Sequence, residues 1–235
     1  MITSSPGHEA TIDDVGRRIA EQGLRIGAIK LDPDQPFRWA SGYRMPVYND
    51  NRMFLYYPEA RRTIARGLAD IIERHEIALE VVAGTATAGI PHGALLADLL
   101  SLPYIYVRDK PKPHGLKNRI EGLDAESDLQ GRTVVVIEDL ISTGGSSARA
   151  VEAVREANGA CDWCLSIFSY GLEKAVRHFA ALDPPCAHAS LLTFPTLLDV
   201  ARTGGFLSET QIALLEDWRR DPFGWGDAHG FPRDS

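Results

Sequence analysis

The chain has 235 residues and a formal charge of −7, from 25 Lys and Arg against 32 Asp and Glu. That length can bury a substantial core and favours one α/β domain with additions over two domains; the acidic balance argues against nucleic acid as the main partner. No apolar run approaches the ~20 residues that span a bilayer. The N-terminus lacks the basic and apolar regions of a signal peptide, and three cysteines, an odd number, suit a reducing compartment. The expectation is a cytoplasmic protein with no membrane partner.

In chain order, residues 11–22 carry helical periodicity, with Ile12, Val15 and Ile19 on one side and Gly23 as the predicted stop. Residues 28–31 and 37–41 read as short strands on either side of Asp32, Pro33, Asp34, Gln35 and Pro36, which predicts a hairpin. Residues 37–52, FRWASGYRMPVYNDNR, mix aromatic, Arg, Gly and Pro residues too irregularly for a plain strand. Pro58 opens a predicted helix to about residue 75, with Ile64, Leu68, Ile71 and Ile72 as its buried stripe.

Residues 80–83 form the first predicted core strand, and Gly84, Thr85, Ala86, Thr87, Ala88, Gly89 and Ile90 turn it into a helix over about 91–100. Another strand, 104–107, leads into the most basic stretch of an acidic chain, RDKPKPHGLKNR at 108–119. Pro111, Pro113 and Gly115 forbid a regular helix there, so the charges ride on a loop. Such a run is ordinarily a solvated face. Cations that close over a leaving group as it gains negative charge would instead stabilise a transition state and exclude water.

The stretch at 133–147, TVVVIEDLISTGGSS, organises the rest. Val134, Val135, Val136 and Ile137 suit a strand buried on both faces of a parallel sheet. Glu138 and Asp139 end that run, and a hydroxyl- and glycine-rich turn then enters a helix near Ser146. Backbone N–H groups in such a turn, with a helix N-terminus behind them, can surround a phosphate without any lysine. Paired carboxylates beside a phosphate are placed to hold ribose hydroxyls and, directly or through water, a divalent metal. In an ordinary strand-turn-helix corner the Ser and Gly would be caps only, but two acids there would have no packing role and would cost desolvation.

Beyond it, residues 146–158 read as a helix, 161–169 as a buried strand, 172–181 as a helix, 187–192 as the last strand, and 196–202 and 208–220 as helices. The last of these carries a Ser208, Gln211 capping-box pattern. Cys161 and Cys164, with Cys186 and His188, could complete a zinc site. The alternating side chains of a strand and the usual burial of free cysteine favour packing instead. The tail, with Pro222, Phe223, Trp225 and Phe231, is aromatic enough to pack on something. Alternation of strand and helix from residue 80 to about 205 predicts an α/β fold with a mostly parallel sheet and helices on both faces.

The central stretch resembles the diphosphoribosyl-binding motif of type I phosphoribosyltransferases. Ser41, Gly42, Pro46, Tyr48, Asp50 and Arg52, with the spacing of Arg108, Lys112, His114, Gly115, Ile120, Glu121 and Gly122, narrow the likeness to orotate phosphoribosyltransferases. The resemblance covers residues 37–172, with four motifs in order. It implies a small N-terminal hood (largely 1–55), a core of about 56–205 and a C-terminal helix and tail (206–235). It also implies that Arg108, Lys112 and His114 bind the diphosphate, Lys112 as the principal catalytic cation, with Asp109 where some members have lysine. Residues 84–89 would then be the pyrophosphate loop, with Thr85 and Ala86 as its sugar-diphosphate contacts. Glu138 and the catalytic Asp139 orient the ribose, and the diphosphate-sugar stretch continues through Leu140, Ile141, Ser142, Thr143, Gly144, Gly145 and Ser146. Ser142 would also face the orotate.

Besides Asp109, the sequence departs from the pattern at Ala40 where some members have lysine, at Met45 where serine is usual, and at Tyr170–Gly171 where some carry a base-contacting arginine. The implied reaction transfers 5-phosphoribosyl from its α-1-diphosphate to orotate, giving orotidine 5'-phosphate and diphosphate in pyrimidine biosynthesis. Magnesium would be carried mainly by the sugar, with no dedicated protein metal site. A homodimer whose basic loop reaches the neighbouring site is implied too. Two other readings stay open: a phosphoribosyltransferase for another base, and a non-catalytic sensor of the diphosphate sugar.

Overall fold

A computed structural model describes residues 12–39, 41–109, 119–124 and 127–234. Helix α1 (Ile12–Ile26) has Asp13 and Asp14 in its first turn and Arg25 in its last, the charge order that suits the helix dipole. It runs past Gly23, the expected stop. A Cβ at Gly23 would come within 2.8 Å of Ile29 Cδ1 and 3.1 Å of Phe54 Cζ, so glycine serves close packing there rather than termination.

The hood also departs from expectation. Strand β1 (Ile29–Leu31) pairs antiparallel not with β2 (Phe37–Arg38) but with β4 (Val47–Asn49). β2 folds back on β3 (Arg44–Met45), nested inside that pair. The reason is local: Trp39 N–H donates to Tyr43 O at 2.9 Å and Gly42 N–H to Trp39 O at 2.9 Å, closing a tight turn one strand later than the proline-rich segment. A 3-10 helix (Asn51–Tyr56), capped by the Asp50 carboxylate on Arg52 N–H, leads to α2 (Pro58–Arg74), whose Ile64, Leu68 and Ile71 are buried as the stripe predicts.

The core follows as β5 (Val81–Thr85), α3 (Gly89–Leu100), β6 (Tyr104–Val107), β7 (Ile120–Glu121), β8 (Thr133–Ile141), α4 (Gly145–Glu156), β9 (Ala160–Ser169), α5 (Glu173–Ala180), β10 (Ala187–Thr193) and α6 (Phe194–Thr203). Then come α7 (Glu209–Arg220), with the expected Ser208–Gln211 capping box, and α8 (Trp225–Ala228). The sheet order is β10-β9-β8-β5-β6-β7, parallel throughout except for β7, a two-residue strand too short to read from periodicity. β8 lies inside the sheet and feeds both layers: Val135 and Ile137 pack with α1, α2, α3 and α6, whereas Val134 and Val136 pack with α4 and α5.

The cysteine pair behaves differently from simple alternation. Thr133 pairs with Ala160 but Val135 with Trp163, so β9 holds an extra residue, and both Cys161 and Cys164 enter the layer under α4 and α5. They are free and buried, as is Cys186. His188 stacks on Phe179 at 4.6 Å. Among the described residues no group of three His, Cys, Asp or Glu is arranged to hold a metal ion, and no helix is long and apolar enough to cross a membrane.

Candidate active site

β5 and β8 are parallel neighbours, with Gly84 opposite Ile137, so the turns that follow them emerge side by side at one edge of the sheet. That edge is where open α/β sheets collect ligands. A cavity of about 390 Å³ lies there, lined by Thr85, Ala86, Thr87, Ala88, Arg52, Val107, Arg108, Asp109, Arg119, Glu138, Asp139, Leu140, Ser146 and Ala150. The peptide bond between Ala86 and Thr87 is cis.

The two acids are not equivalent. Glu138 is 7% exposed, and its carboxylate accepts from Thr85 Oγ1 at 2.6 Å, Ser147 Oγ at 3.0 Å and Asp139 N–H at 3.1 Å. Burial, and then the neighbouring Asp139 charge, push its carboxyl up to about 7. Asp139 is also shifted upward, by burial above all, with Glu138, local N–H groups and the Arg52 charge pulling the other way. Glu138 is thus tied into the wall of the cavity, and Asp139 is the more accessible acid.

The turn after β8 is built to be bare. Gly144, the N-cap of α4, has φ 78°, and a Cβ on it would lie 2.9 Å from Ala175 Cα on α5. The Thr143 carbonyl contacts His178 Nδ1 at 2.7 Å, which fixes the loop from the far side. With its carbonyl held there, the turn can offer N–H groups and hydroxyls to an anion.

Cations face the acids across the cavity. Arg108 pairs with Glu121 at 3.1 Å, and its N–H donates to Arg119 O at 2.8 Å, so Arg108 and Arg119 form the paired base of the basic loop. Arg52 is held by two bonds to Asp50, at 2.6 and 2.9 Å. Asp109 lies 3.6 Å from Arg149.

Of the expected site residues, Thr85, Ala86, Arg108, Glu138, Asp139, Leu140 and Ser146 line this one cavity. Ser142, Thr143, Gly144 and Gly145 form the adjoining turn into α4. The Ile141 side chain is fully buried in the layer beneath α4, so its main chain is what it offers to a ligand. Lys112 and His114 lie outside the described residues. Sequence reasoning did not place Ser147 in the site, counted Arg119 only as part of the basic stretch, and gave Arg52 no role beyond the hood pattern. The signal for Ser147 was present, since it is a hydroxyl in the first turn of the helix that follows the acid-bearing strand.

Comparison with known proteins agrees with this architecture. A family model described as phosphoribosyl transferase domain matches residues 54–168. An orotate phosphoribosyltransferase of Lactiplantibacillus plantarum is 46% identical over 215 residues, covering 92% of this chain and 99% of that protein. One from Bacillus pumilus is 48% identical over 207 residues, 87% of this chain and 94% of that protein. Among solved structures, orotate phosphoribosyltransferase from Aeropyrum pernix superposes with a TM-score of 0.67 at 28% identity, over 81% of this chain and 99% of that one. The structure of Leishmania donovani UMP synthase gives 0.68 at 24% identity, over 88% of this chain and 43% of that one, and speaks to the fold alone. With nearly the whole length of these bacterial relatives matched, and with the acid pair and both ligand turns on one sheet edge, the chain belongs to the orotate phosphoribosyltransferase family.

Proposed function

We propose that this protein transfers the 5-phosphoribosyl group of 5-phospho-α-D-ribose 1-diphosphate to N1 of orotate, releasing diphosphate. The observation that carries the reading is the placement of Asp139 in a cavity between two strand-to-helix turns, with cations opposite. Asp139 orients the ribose through its hydroxyls, and the turn at Ser142 to Ser146 holds the 5'-phosphate. The turn after β5, with Thr85 and Ala86, and the basic loop that starts at Arg108 take the diphosphate. Lys112 and His114 supply further positive charge as the bond from the anomeric carbon to the diphosphate breaks. The ring nitrogen of orotate attacks an oxocarbenium-like centre, so no protein nucleophile is needed.

Magnesium fits this site as an ion carried by the diphosphate sugar. The open donors here are carboxylate and hydroxyl oxygens, which suit a hard cation that keeps most of its waters, and the Glu138 carboxylate is already occupied by three donors. When bound, the ion would neutralise charge on the diphosphate; the residues of the chain orient the sugar and exclude water.

A homodimer is part of the same proposal. Tyr56 is 83% exposed, and Tyr48 and Met53 of the same segment are 38% exposed, apolar surface that a second copy would cover. Free, buried thiols support a reducing, cytoplasmic setting.

The test is loss of orotate absorbance on mixing protein, diphosphate sugar and magnesium, with hypoxanthine, adenine and uracil in parallel. Orotate-only turnover is expected. Turnover of another base would keep the fold and overturn the assigned base; sugar binding without turnover would make the protein a sensor.

A further inference from the structure

On its β5 side the main chain of β8 loses its strand partner just where the acids begin, while β9 stays paired with it through Ile141. Alternate carbonyls of β8 face β5: Thr133 O accepts from Glu80 N–H at 2.9 Å, and the ladder then ends at the Gly84–Ile137 pair. Past that point side chains take over the role of the missing strand. Thr85 Oγ1, whose one proton goes to Glu138 at 2.6 Å, lies 3.3 Å from Ile137 O, and Asn51 Nδ2 donates to Asp139 O at 2.7 Å. Asn51 reaches across 88 residues of sequence to make that bond and is 1% exposed.

Asn51 is the first residue of the 3-10 helix that joins the hood to α2, and the next residue, Arg52, lines the cavity opposite Asp139. Its other side-chain atom, Oδ1, meets no partner among the described residues. The single bond to Asp139 is therefore the one specific polar link that the buried Asn51 amide makes among the described residues. An amide buried this fully costs stability unless its polar atoms are hydrogen-bonded, and among the described residues only Nδ2 is.

We infer that Asn51 is a positioning residue for the reaction: its amide clamps the Asp139 main chain and thereby sets the direction of the acid that faces the ribose. Hood and acid pair are then coupled through one hydrogen bond, so a shift of the 3-10 helix on binding of the base is felt at Asp139. The inference rests on the proposed role of Asp139 and extends it to a residue in the hood.

The test compares Asn51→Asp, which keeps the shape and replaces the donor with an acceptor, and Asn51→Ala, which removes the amide. Steady-state rates with orotate and diphosphate sugar are measured at a temperature where circular dichroism and a melting curve show each variant folded. The expected result is a kcat lower by roughly 10- to 50-fold in both variants, with KM for orotate within about twofold, the pattern of an interaction needed in the transition state. A purely structural role would lower the melting temperature and leave kcat of the folded enzyme unchanged, and that outcome overturns the inference. Should Asn51→Ala fail to fold, Asn51→Asp decides alone. Absence of orotate turnover in the unmodified protein would instead count against the proposed reaction.

Discussion

The indole N–H of Trp218 on α7 donates to the sulfur of Met45 on β3 at 3.1 Å, across 173 residues and with both side chains fully buried. The C-terminal helix is in this way the floor of the N-terminal hood. Tyr170 stacks on Trp39 at 6.0 Å and meets Trp218 edge-on at 5.4 Å. Asp234 closes the arrangement with ion pairs to Arg38 at 2.7 Å and Arg44 at 3.2 Å. Met45 and Tyr170, two of the departures from the family pattern, are thus packing partners of the tail rather than vacant base contacts.

This packing predicts a stability effect. Trp218→Ala leaves a large cavity beneath the hood and is expected to lower unfolding free energy by about 3–5 kcal/mol. Met45→Ser, which restores the residue usual in the family, is expected to destabilise as well, since it removes the buried volume that Trp218 packs against. Equilibrium denaturation in urea measures both.

The Glu138 carboxyl predicts a pH dependence. Its folded-state value of about 7 stands above the ordinary 4.5, so between those values the folded chain holds a proton that the unfolded chain has released. Stability is therefore greatest below pH 4.5 for this group and falls as pH rises through 7, by on the order of 3 kcal/mol. Asp139 is shifted in the same direction and adds to the trend. Glu138→Gln should flatten the curve, as seen by comparing urea midpoints of the two proteins at pH 5 and pH 8.

Lys112 carries the prediction for the basic loop. Lys112→Ala is expected to reduce kcat by about 100- to 1,000-fold through lost charge stabilisation of the departing diphosphate. The urea midpoint should stay near that of the unmodified protein. An unaltered rate would remove the loop from the chemistry.

For the accessible acid, Asp139→Asn keeps the shape and removes the charge. The diphosphate sugar should then bind at least ~10-fold more weakly, the scale of a charged hydrogen bond lost. Isothermal titration with the sugar and magnesium reads this directly, and normal affinity would reassign the ribose contact to another residue.

The sequence by itself determined the sheet and its ligand edge. Val134, Val135, Val136 and Ile137 had one physical solution, a strand buried on both faces, and the acids and glycines after them could only sit where that strand leaves the core. Local rules also placed the Pro58 helix start and the Ser208 capping box, because those signals lie within a few residues of their effect. What only the tertiary structure decided depends on contacts between residues far apart in the chain. The partner of β1, the continuation of α1 through Gly23, the Cys161 and Cys164 placement set by a bulge, and the grip of Asn51 on Asp139 are of this kind. No periodicity encodes them, since each is set by which surfaces meet when segments far apart in the chain pack together.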